Sequence, residues 1–475
     1  MFNKENITRV YLIGIGGIGM SAIARYFNEK GATVSGYDRV STALTKDMEA
    51  EGISIHYKDD ISLLDKLAEL VVYTPAIPKE HTELVYYQSL DYNLMKRSEV
   101  LGLITRDSFC ICVAGTHGKT TISTMIAHIL RDSNYGCNAF LGGISANYKT
   151  NYWTSDKNVF VIEADEYDRS FLQLSPDVAI ISSMDPDHLE IYGDEKGVQQ
   201  GFIDFSSRIK EGGMLISKYG LKRTADLKAS VHLTYDLNAD KADVHATNFQ
   251  VKDGSYTFDV EHADWKAEGI VLKMGGNHNV ENSIAAITVA HYLNIDNESI
   301  RRAMISFMGV KRRFEYIVSP GTHPGTSGKL NPGNKDAVYI DDYAHHPQEL
   351  TALINSAKSL YPGRKCTTIF QPHLFSRTRD MAKQFAEALD LADEVILLPI
   401  YPARELPIEG ITSATVSDNM LLAIKYIFTK EQVLEWISNQ QGIELLITAG
   451  AGDIDQLIEP IRSLLLSMKN NNEET

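Results

Sequence analysis

The chain contains few cysteines: four in 475 residues, at Cys110, Cys112, Cys137 and Cys366. So small a number in so long a chain excludes a disulfide framework as the basis of the fold. The sequence has no uninterrupted apolar run long enough to cross a bilayer, and its first residues lack the apolar segment and cleavage site of a signal peptide. These features predict a cytoplasmic protein without membrane insertion.

Positive charge is also scarce, because 46 lysines and arginines face 62 aspartates and glutamates, for a formal net charge of −16. This balance lacks the basic footprint of a general nucleic-acid-binding protein, so we expect no nucleic-acid partner. An anionic substrate must instead be met by local positive charge and metal. The length exceeds what one hydrophobic core accommodates and predicts two to four domains.

One short segment predicts a phosphate site. Gly115-Thr116-His117-Gly118-Lys119-Thr120 follows the strand-like run 109–114 and precedes a helical pattern over 122–130. Backbone N–H groups and the helix dipole favour an anion there, Lys119 adds a charge, and the Thr120 hydroxyl is placed to hold magnesium. Val113 stands where the general motif has its first glycine, so a chance glycine turn remains an alternative on this segment alone.

A second glycine turn lies near the start of the chain. The strand 10–13 leads into Gly14-Ile15-Gly16-Gly17-Ile18-Gly19-Met20, a helical pattern to Glu29 and the strand 33–37, which ends at Asp38. This G-x-G-x-x-G turn in βαβ context predicts that the diphosphate of a nucleotide or dinucleotide approaches the backbone. Glycines kept only for tight packing are the alternative.

The remaining sequence divides into further α/β units. Buried strands are predicted at 158–162 and 178–183, and period-two runs at 231–235 and 256–260 suggest a small antiparallel extension. Strand candidates at 337–340, 366–370, 394–398 and 444–448 predict a parallel, doubly wound sheet. Between them, Ser319–Lys335 has the composition of a surface loop.

Polar residues follow the predicted strand ends. Since ligands of parallel sheets bind beyond the carboxyl ends of the strands, these clusters predict one composite site spanning at least two units. Glu163 is expected to bind nucleotide-bound magnesium and His188 a second metal. Asp165, Glu166 and Asp168 are expected to be solvated acids at a helix start, with a metal-ligand role as the alternative. The clusters are Glu163, Asp187-His188, Asp341-Asp342-Tyr343-Ala344-His345-His346, Gln371-Pro372-His373 and Gly450-Ala451-Gly452-Asp453.

Taken in order along the chain, these motifs resemble the Mur ligase family, and most closely its L-alanine-adding branch. The resemblance covers essentially the whole chain. It implies an α/β protein of three domains: a Rossmann-like UDP-sugar domain over 1–106, a central P-loop ATPase domain over 107–312, and a Rossmann-like, doubly wound amino-acid domain over 313–475. The segments that carry it are the two glycine turns, Glu163-Ala164-Asp165-Glu166, Asp185-Pro186-Asp187-His188, His278-Asn279-Val280-Glu281-Asn282, Asp341–Pro347 and Gln371-Pro372-His373.

The resemblance also implies a reaction. ATP with Mg²⁺, or alternatively Mn²⁺, would activate the lactyl carboxylate of UDP-N-acetylmuramate as an acyl phosphate, and L-alanine would then attack it, in peptidoglycan precursor synthesis. A monomer or homodimer is expected. Three alternatives stay open: a family member that attaches a recycled tripeptide, an NAD-dependent dehydrogenase suggested by the first glycine turn, and a nucleotide-binding regulatory protein.

Site residues follow from the same resemblance. The UDP-sugar set is Gly14, Gly16, Gly17, Gly19, Met20, Asp38 and Arg97. The ATP set is Gly115, Thr116, His117, Gly118, Lys119, Thr120, Thr121, His278, Asn279, Asn282 and Arg313, and the metal set is Thr120, Glu163 and His188. The amino-acid set is Tyr343, His345, His373 and Arg377, and the catalytic set is Lys119, His345, His373 and Arg377.

Several alternatives and departures accompany these assignments. Arg377 could instead pair with Asp380, Asn279 could cap a helix, and one of the two histidines, His345 or His373, could be structural. Leu374 stands where relatives usually carry Arg, Tyr73-Thr74-Pro75 replaces a more common Ser-Ser, and Ser319–Lys335 resembles an insertion.

Overall fold

The computed structural model describes residues 7–90, 92–252, 254–319, 336–403 and 405–466, without the side chains of Glu190 and Lys252. All but the first residue of the Ser319–Lys335 loop lies outside this part of the chain. The described chain forms two compact units. One holds the chain up to Thr247 with Asp259–Glu268 and Glu281–Met304, and the other holds Asn248–Phe258, Gly269–Val280 and the chain from Ile305.

The first sheet has five parallel strands in the order β3-β2-β1-β4-β5, the arrangement expected for a Rossmann-like domain. Its central strand is fully buried from Val10 to Ile13, because helices cover both faces. The elements are β1 (Arg9–Ile13), α1 (Ile18–Glu29), β2 (Thr33–Tyr37), α2 (Ala43–Ala50), β3 (Ser54–His56), β4 (Leu70–Tyr73), α3 (Thr82–Ser89), β5 (Leu94–Lys96) and α4 (Arg97–Arg106).

The second sheet has ten strands in the order β15-β14-β13-β12-β11-β10-β6-β9-β7-β8. The predicted antiparallel extension is wrong for the run at 231–235, because β12 pairs in parallel with both β11 and β13. The elements are β6 (Phe109–Ala114), α5 (Lys119–Asp132), β7 (Asn138–Phe140), β8 (Tyr152–Trp153), β9 (Val159–Glu163), β10 (Val178–Ile181), α6 (Leu189–Tyr192), α7 (Glu195–Ser206), β11 (Met214–Lys218), β12 (Val231–Asp236), β13 (Val244–Lys252), β14 (Ser255–His262), β15 (Trp265–Leu272), α8 (Asn277–Tyr292) and α9 (Asn297–Ser306).

The third sheet has the order β16-β17-β21-β18-β19-β20, with β16 antiparallel and the others parallel. It confirms the predicted doubly wound arrangement of the last unit. The elements are β16 (Glu315–Val318), β17 (Val338–Asp342), α10 (Pro347–Leu360), β18 (Cys366–Phe370), α11 (Phe375–Asp380), α12 (Ala382–Leu389), β19 (Glu394–Leu397), α13 (Ala414–Ser417), β20 (Lys425–Ile427), α14 (Lys430–Asn439), β21 (Leu445–Ala449) and α15 (Ile458–Leu466).

The predicted polar clusters come from neighbouring strands. In the second sheet β10, β6 and β9 are adjacent and parallel, so the residues that follow them meet at one edge. In the third sheet β17, β21 and β18 are adjacent in the same way. Among the described helices, none has both the length and the apolar character that a membrane crossing requires.

A buried polar chain lies inside the first sheet domain. The Tyr11 hydroxyl is 2.7 Å from both Glu83 Oε2 and His56 Nε2, and the other ring nitrogen of His56 is 2.9 Å from the Lys58 carbonyl. That carbonyl can only accept, so the neutral His56 ring accepts a hydrogen bond from Tyr11, and the Glu83 carboxyl supplies the remaining proton. Burial raises the pKa of Glu83 to about 7 and lowers the pKa of His56.

This proton makes stability depend on pH. Because the pKa of Glu83 is higher in the folded than in the unfolded chain, the proton stabilises the fold below about pH 4.5, and its contribution is lost as pH rises through about 7. Glu83→Gln should flatten the fall in melting temperature between pH 5.5 and 7.5, where the wild-type group contributes at most about 1.4 kcal/mol per pH unit.

Circular-dichroism melts at several pH values measure the effect. Glu69→Gln is the matched control, because hydrogen bonds from Thr8 lower the pKa of Glu69 and place its titration below this window. Equal pH slopes in wild type and Glu83→Gln would exclude the shared proton.

Candidate active site

The phosphate loop has the predicted strand–turn–helix form, with β6 ending at Ala114 and α5 beginning at Lys119. Gly115 and Gly118 have φ angles of +138° and +82°, a region that side chains rarely adopt. A Cβ on Gly115 would also collide with Ser182 Oγ. The turn therefore depends on glycine at both positions, and its amides lead directly into the first turn of α5.

Two serines after β10 brace this loop. Ser183 Oγ accepts a hydrogen bond from the His117 amide at 2.8 Å and lies 2.9 Å from Thr116 Oγ1. Ser182 Oγ donates to the His117 carbonyl, and Thr116 Oγ1 accepts from the Asp185 amide. The sequence analysis missed both serines, although their position directly after a strand adjacent to β6 was a usable signal.

Lys119 is held at the base of the loop. Its Nζ donates to the Gly115 carbonyl at 2.7 Å and lies 2.8 and 2.7 Å from the two Glu166 carboxylate oxygens. Glu166 is only 1% exposed, so the expectation that it is a solvated acid is wrong. Burial raises the pKa of Glu166, and the Lys119 charge acts in the opposite direction.

The neighbouring acids face the first domain instead. Asp165 lies 3.4 Å from Arg97 Nη2, and Asp168 lies 2.8 Å from Lys96 Nζ. Asp168 and Arg169 both have positive φ, at 52° and 54°, so the chain changes direction at the end of this segment. Residues 165–168 therefore touch both Lys119 and the start of α4.

The first glycine turn is organised around Asp38. The Gly14 amide donates to the Tyr37 carbonyl at 2.8 Å, and the Gly16 amide donates to Asp38 Oδ2 at 2.8 Å. A Cβ on Gly19 would collide with the Arg97 guanidinium, which places that cation against the start of α1. Arg97 therefore lies beside the backbone of this turn, and the binding of a diphosphate there stays a prediction.

Two further members of the predicted UDP-sugar set have local structural contacts. The Gly17 amide donates to the Gly14 carbonyl at 3.2 Å, which closes the turn, and the Met20 amide donates to the Gly17 carbonyl at 2.9 Å. The Met20 side chain lies in the core of this unit. Any contact of Met20 with a ligand stays a prediction.

One group of side chains fits a divalent cation. Donor atoms of Glu166, Asp187 and His188 lie within 4.8 Å of one another, and two carboxylates with an imidazole suit Mn²⁺ and, with added waters, Mg²⁺. Of the predicted metal set only His188 belongs to this group. Glu163 Oε2 accepts from the Gly142 amide at 2.9 Å, and Thr120 is buried at the start of α5, so their ligand roles remain predictions.

The predicted Asn/His segment forms the first turns of α8. A Cβ on Gly118 would lie 2.8 Å from Asn282 Oδ1, so the Asn282 side chain lies against the phosphate loop. Asn279 Nδ2 donates to the Gly275 carbonyl at 2.6 Å, which is a local contact at the helix start. The His278 ring packs over Gly276. The nucleotide roles of Thr121, His278 and Asn279 stay predictions.

The third sheet gathers the predicted amino-acid residues. The His345 and His373 rings lie 6.0 Å apart at 67°, and the Tyr343 ring lies 5.3 Å from His345. Arg377 Nη1 lies 3.5 Å from the His345 carbonyl. Burial lowers the pKa of His373, and the His345 and Arg377 charges lower it further, so the ring is neutral near pH 7 and able to accept a proton.

The alternative that Arg377 pairs with Asp380 is wrong. Asp380 pairs instead with Arg379, at 2.7 Å, whereas Arg377 contacts the His345 carbonyl. Leu374, at the position where relatives usually carry Arg, has φ +71° and donates its amide to the Tyr401 carbonyl. Tyr401 stacks on His373 with centroids 5.7 Å apart, a contact that the sequence analysis missed.

A buried ion pair anchors the end of β17. Asp341 is fully buried, accepts from Arg312 Nε at 3.1 Å and from Thr448 Oγ1 at 2.6 Å, and burial raises its pKa to about 7. Arg312 also donates to the Gly450 carbonyl at 2.6 Å and lies over the Tyr343 ring. The neighbouring Arg313 is exposed, and its predicted phosphate contact stays a prediction.

Gln371 has a structural role that the motif alone did not reveal. Its Nε2 donates to Asp453 Oδ1 at 2.8 Å, and its Oε1 accepts from the Ile454 amide at 2.9 Å. These bonds tie the end of β18 to the turn after β21, the strand that lies between β18 and β17 in the sheet.

Three family models match successive parts of the chain. Residues 9–109 match "Mur ligase family, catalytic domain", residues 113–290 match "Mur ligase middle domain", and residues 330–452 match "Mur ligase, glutamate ligase domain".

Individual proteins are similar to this chain over nearly its whole length. The UDP-N-acetylmuramate–L-alanine ligase of Cytophaga hutchinsonii is 46% identical over 471 residues, covering 97% of this chain and 98% of the relative. That of Porphyromonas gingivalis is 44% identical over 467 residues, with 97% and 99% covered. Among solved structures, the UDP-N-acetylmuramate–alanine ligase of Thermotoga maritima has a TM-score of 0.80 at 27% identity, with 95% and 98% covered. A murein peptide ligase of Psychrobacter arcticus has a TM-score of 0.64 at 21% identity, with 97% and 99% covered.

Proposed function

Because this chain belongs to the Mur ligase family, we propose that it joins L-alanine to the lactyl carboxylate of UDP-N-acetylmuramate at the expense of ATP, in peptidoglycan precursor synthesis. The observation that carries the proposal is 46% identity to an L-alanine ligase over 97% of the chain. The domains proposed for UDP-sugar, ATP and amino acid are 1–106, 107–312 and 313–475. The dehydrogenase and regulatory alternatives leave the Lys119 loop and the Arg377 cluster without a function.

The first step brings two anions together. The lactyl carboxylate oxygen attacks the γ-phosphorus of ATP, the bond to the β–γ bridging oxygen breaks, and an acyl phosphate and ADP result. Lys119, the loop amides and the start of α5 offset the charge that accumulates on the transferring group. A Mg²⁺ or Mn²⁺ ion held by Glu166, Asp187 and His188 would supply further neutralisation.

The second step needs a neutral amine. His373 is neutral near pH 7 and is proposed to take the proton of the alanine ammonium, while His345, whose ring lies 6.0 Å away, is proposed to orient the amine. Arg377 is proposed to bind the alanine carboxylate with its planar fork. The amine then attacks the carbonyl carbon of the acyl phosphate, and the tetrahedral intermediate expels phosphate.

The substrate test compares two amines. With UDP-N-acetylmuramate and MgATP, phosphate release should depend on L-alanine, and L-Ala-γ-D-Glu-diaminopimelate should support less than about one hundredth of that rate. Glycine and L-serine in the same assay define side-chain tolerance. Faster release with the tripeptide would identify the recycling ligase instead, and a change in nicotinamide absorbance without ATP would identify a dehydrogenase.

The cellular location is proposed from the substrates, and the oligomeric state is left to measurement. We propose a cytoplasmic enzyme, since ATP and nucleotide sugars are substrates of that compartment. Light scattering of the purified protein distinguishes the monomer from the homodimer.

A further inference from the structure

The contact between Lys119 and Glu166 joins the residue that should bind phosphate to a residue of the candidate cation group. Lys119 Nζ lies within 2.8 Å of both Glu166 oxygens, and the same carboxylate belongs to the group with Asp187 and His188. Glu166 therefore has two alternative counter-charges, the Lys119 ammonium and a divalent cation.

Burial favours this exchange. Glu166 is 1% exposed, and a buried carboxylate that loses its partner without a replacement is strongly destabilising. Lys119 Nζ also donates to the Gly115 carbonyl. A carbonyl carries no positive charge, so it cannot replace Lys119 as the partner of Glu166. A triphosphate that draws Lys119 away leaves Glu166 to bind either a proton or another cation, and a divalent cation that arrives with the nucleotide supplies that charge.

We propose that Glu166 is a positioning residue that exchanges Lys119 for a divalent cation when nucleotide binds, and that this exchange makes ATP binding depend on the cation. The inference rests on the proposed ATP-binding function and deepens it. In the nucleotide-free protein Glu166 holds Lys119 in place. In the nucleotide complex Lys119 turns to the phosphates, and Glu166, with Asp187 and His188, faces the metal.

The first test measures ATP binding by calorimetry, without UDP-sugar or alanine, in Mg²⁺ and in EDTA. The wild-type ratio of dissociation constants, EDTA over Mg²⁺, should be large. Glu166→Gln should lower that ratio at least about tenfold, mainly by tightening metal-free binding, because Lys119 is released without exposing a buried charge. Asp168→Asn is the matched control: it removes the same charge from the same segment but from a contact with Lys96.

The outcomes of this test distinguish a failure of the exchange at Glu166 from a failure of the proposed ATP-binding function. An unchanged ratio in Glu166→Gln, or an equal fall in Asp168→Asn, overturns the exchange. If wild-type protein binds no MgATP at all, the proposed function fails, and the second test still measures the exchange.

The second test uses Mn²⁺ alone, detected by electron paramagnetic resonance in the absence of nucleotide. Lys119→Ala removes the resident cation, so it should bind one Mn²⁺ at least about tenfold more tightly than wild type. The double variant with Glu166→Gln should lose this gain. Equal Mn²⁺ binding by wild type and Lys119→Ala would overturn the proposal.

Discussion

Lys119→Ala should lower the rate of ADP formation at least about a thousandfold at saturating substrates. Lys119 is the cation placed against the phosphate loop, within 2.7 Å of the Gly115 carbonyl. Removing a single preorganised donor from a developing charge typically costs about 10²–10³ in rate, and here a full positive charge is also lost beside a triphosphate. A coupled ADP assay with UDP-N-acetylmuramate, L-alanine and Mg²⁺ measures the effect.

Two controls protect this result from a folding artefact. Lys119→Ala leaves buried Glu166 without its partner, so the double variant with Glu166→Gln should recover stability but not activity. Lys222→Ala removes an exposed lysine whose partner is Glu195 and should retain wild-type activity. Substantial turnover by a folded Lys119→Ala enzyme would contradict the role assigned to this residue.

Arg377→Ala should raise the KM for L-alanine about a hundredfold while changing the KM for ATP less than about threefold. A charge-assisted, bidentate bond to a carboxylate contributes about 1.5–3 kcal/mol, and Arg377 is not occupied by Asp380. Arg377→Lys keeps the charge but loses the fork, so most of the increase should persist. Initial rates over a range of each substrate give both constants.

Arg379→Ala is the matched control, because this arginine lies on the same short helix and pairs with Asp380 at the surface. It should leave the KM for alanine unchanged. Similar increases in the KM values of alanine and ATP in Arg377→Ala would remove the assignment of Arg377 to the amino acid.

The sequence predicted the architecture well because strand periodicity and glycine turns are local signals. β6, the Gly115 turn and the start of α5 form as the pattern indicates, and polar clusters follow adjacent parallel strands. The parallel pairing of β12 was missed, since alternation along one strand does not encode the direction of its neighbour.

Burial of acidic residues was harder to predict. Asp165, Glu166 and Asp168 have the same chemistry within four residues, yet of the three only Glu166 is buried. Asp341 and Arg312 pair across 29 positions of sequence, and no local pattern announces such a pair. Neither the burial of Glu166 nor the long-range pairing of Asp341 with Arg312 can be predicted from a local sequence pattern.

The short segment from Asp165 to Asp168 has a thermodynamic consequence. It contacts Lys119 beside one glycine turn and Lys96 and Arg97 beside the other, so a ligand that shifts the segment at one turn changes the energy of binding at the other. Where binding at one turn shifts the segment, reciprocity requires that each nucleotide alter the affinity of the other by the same factor.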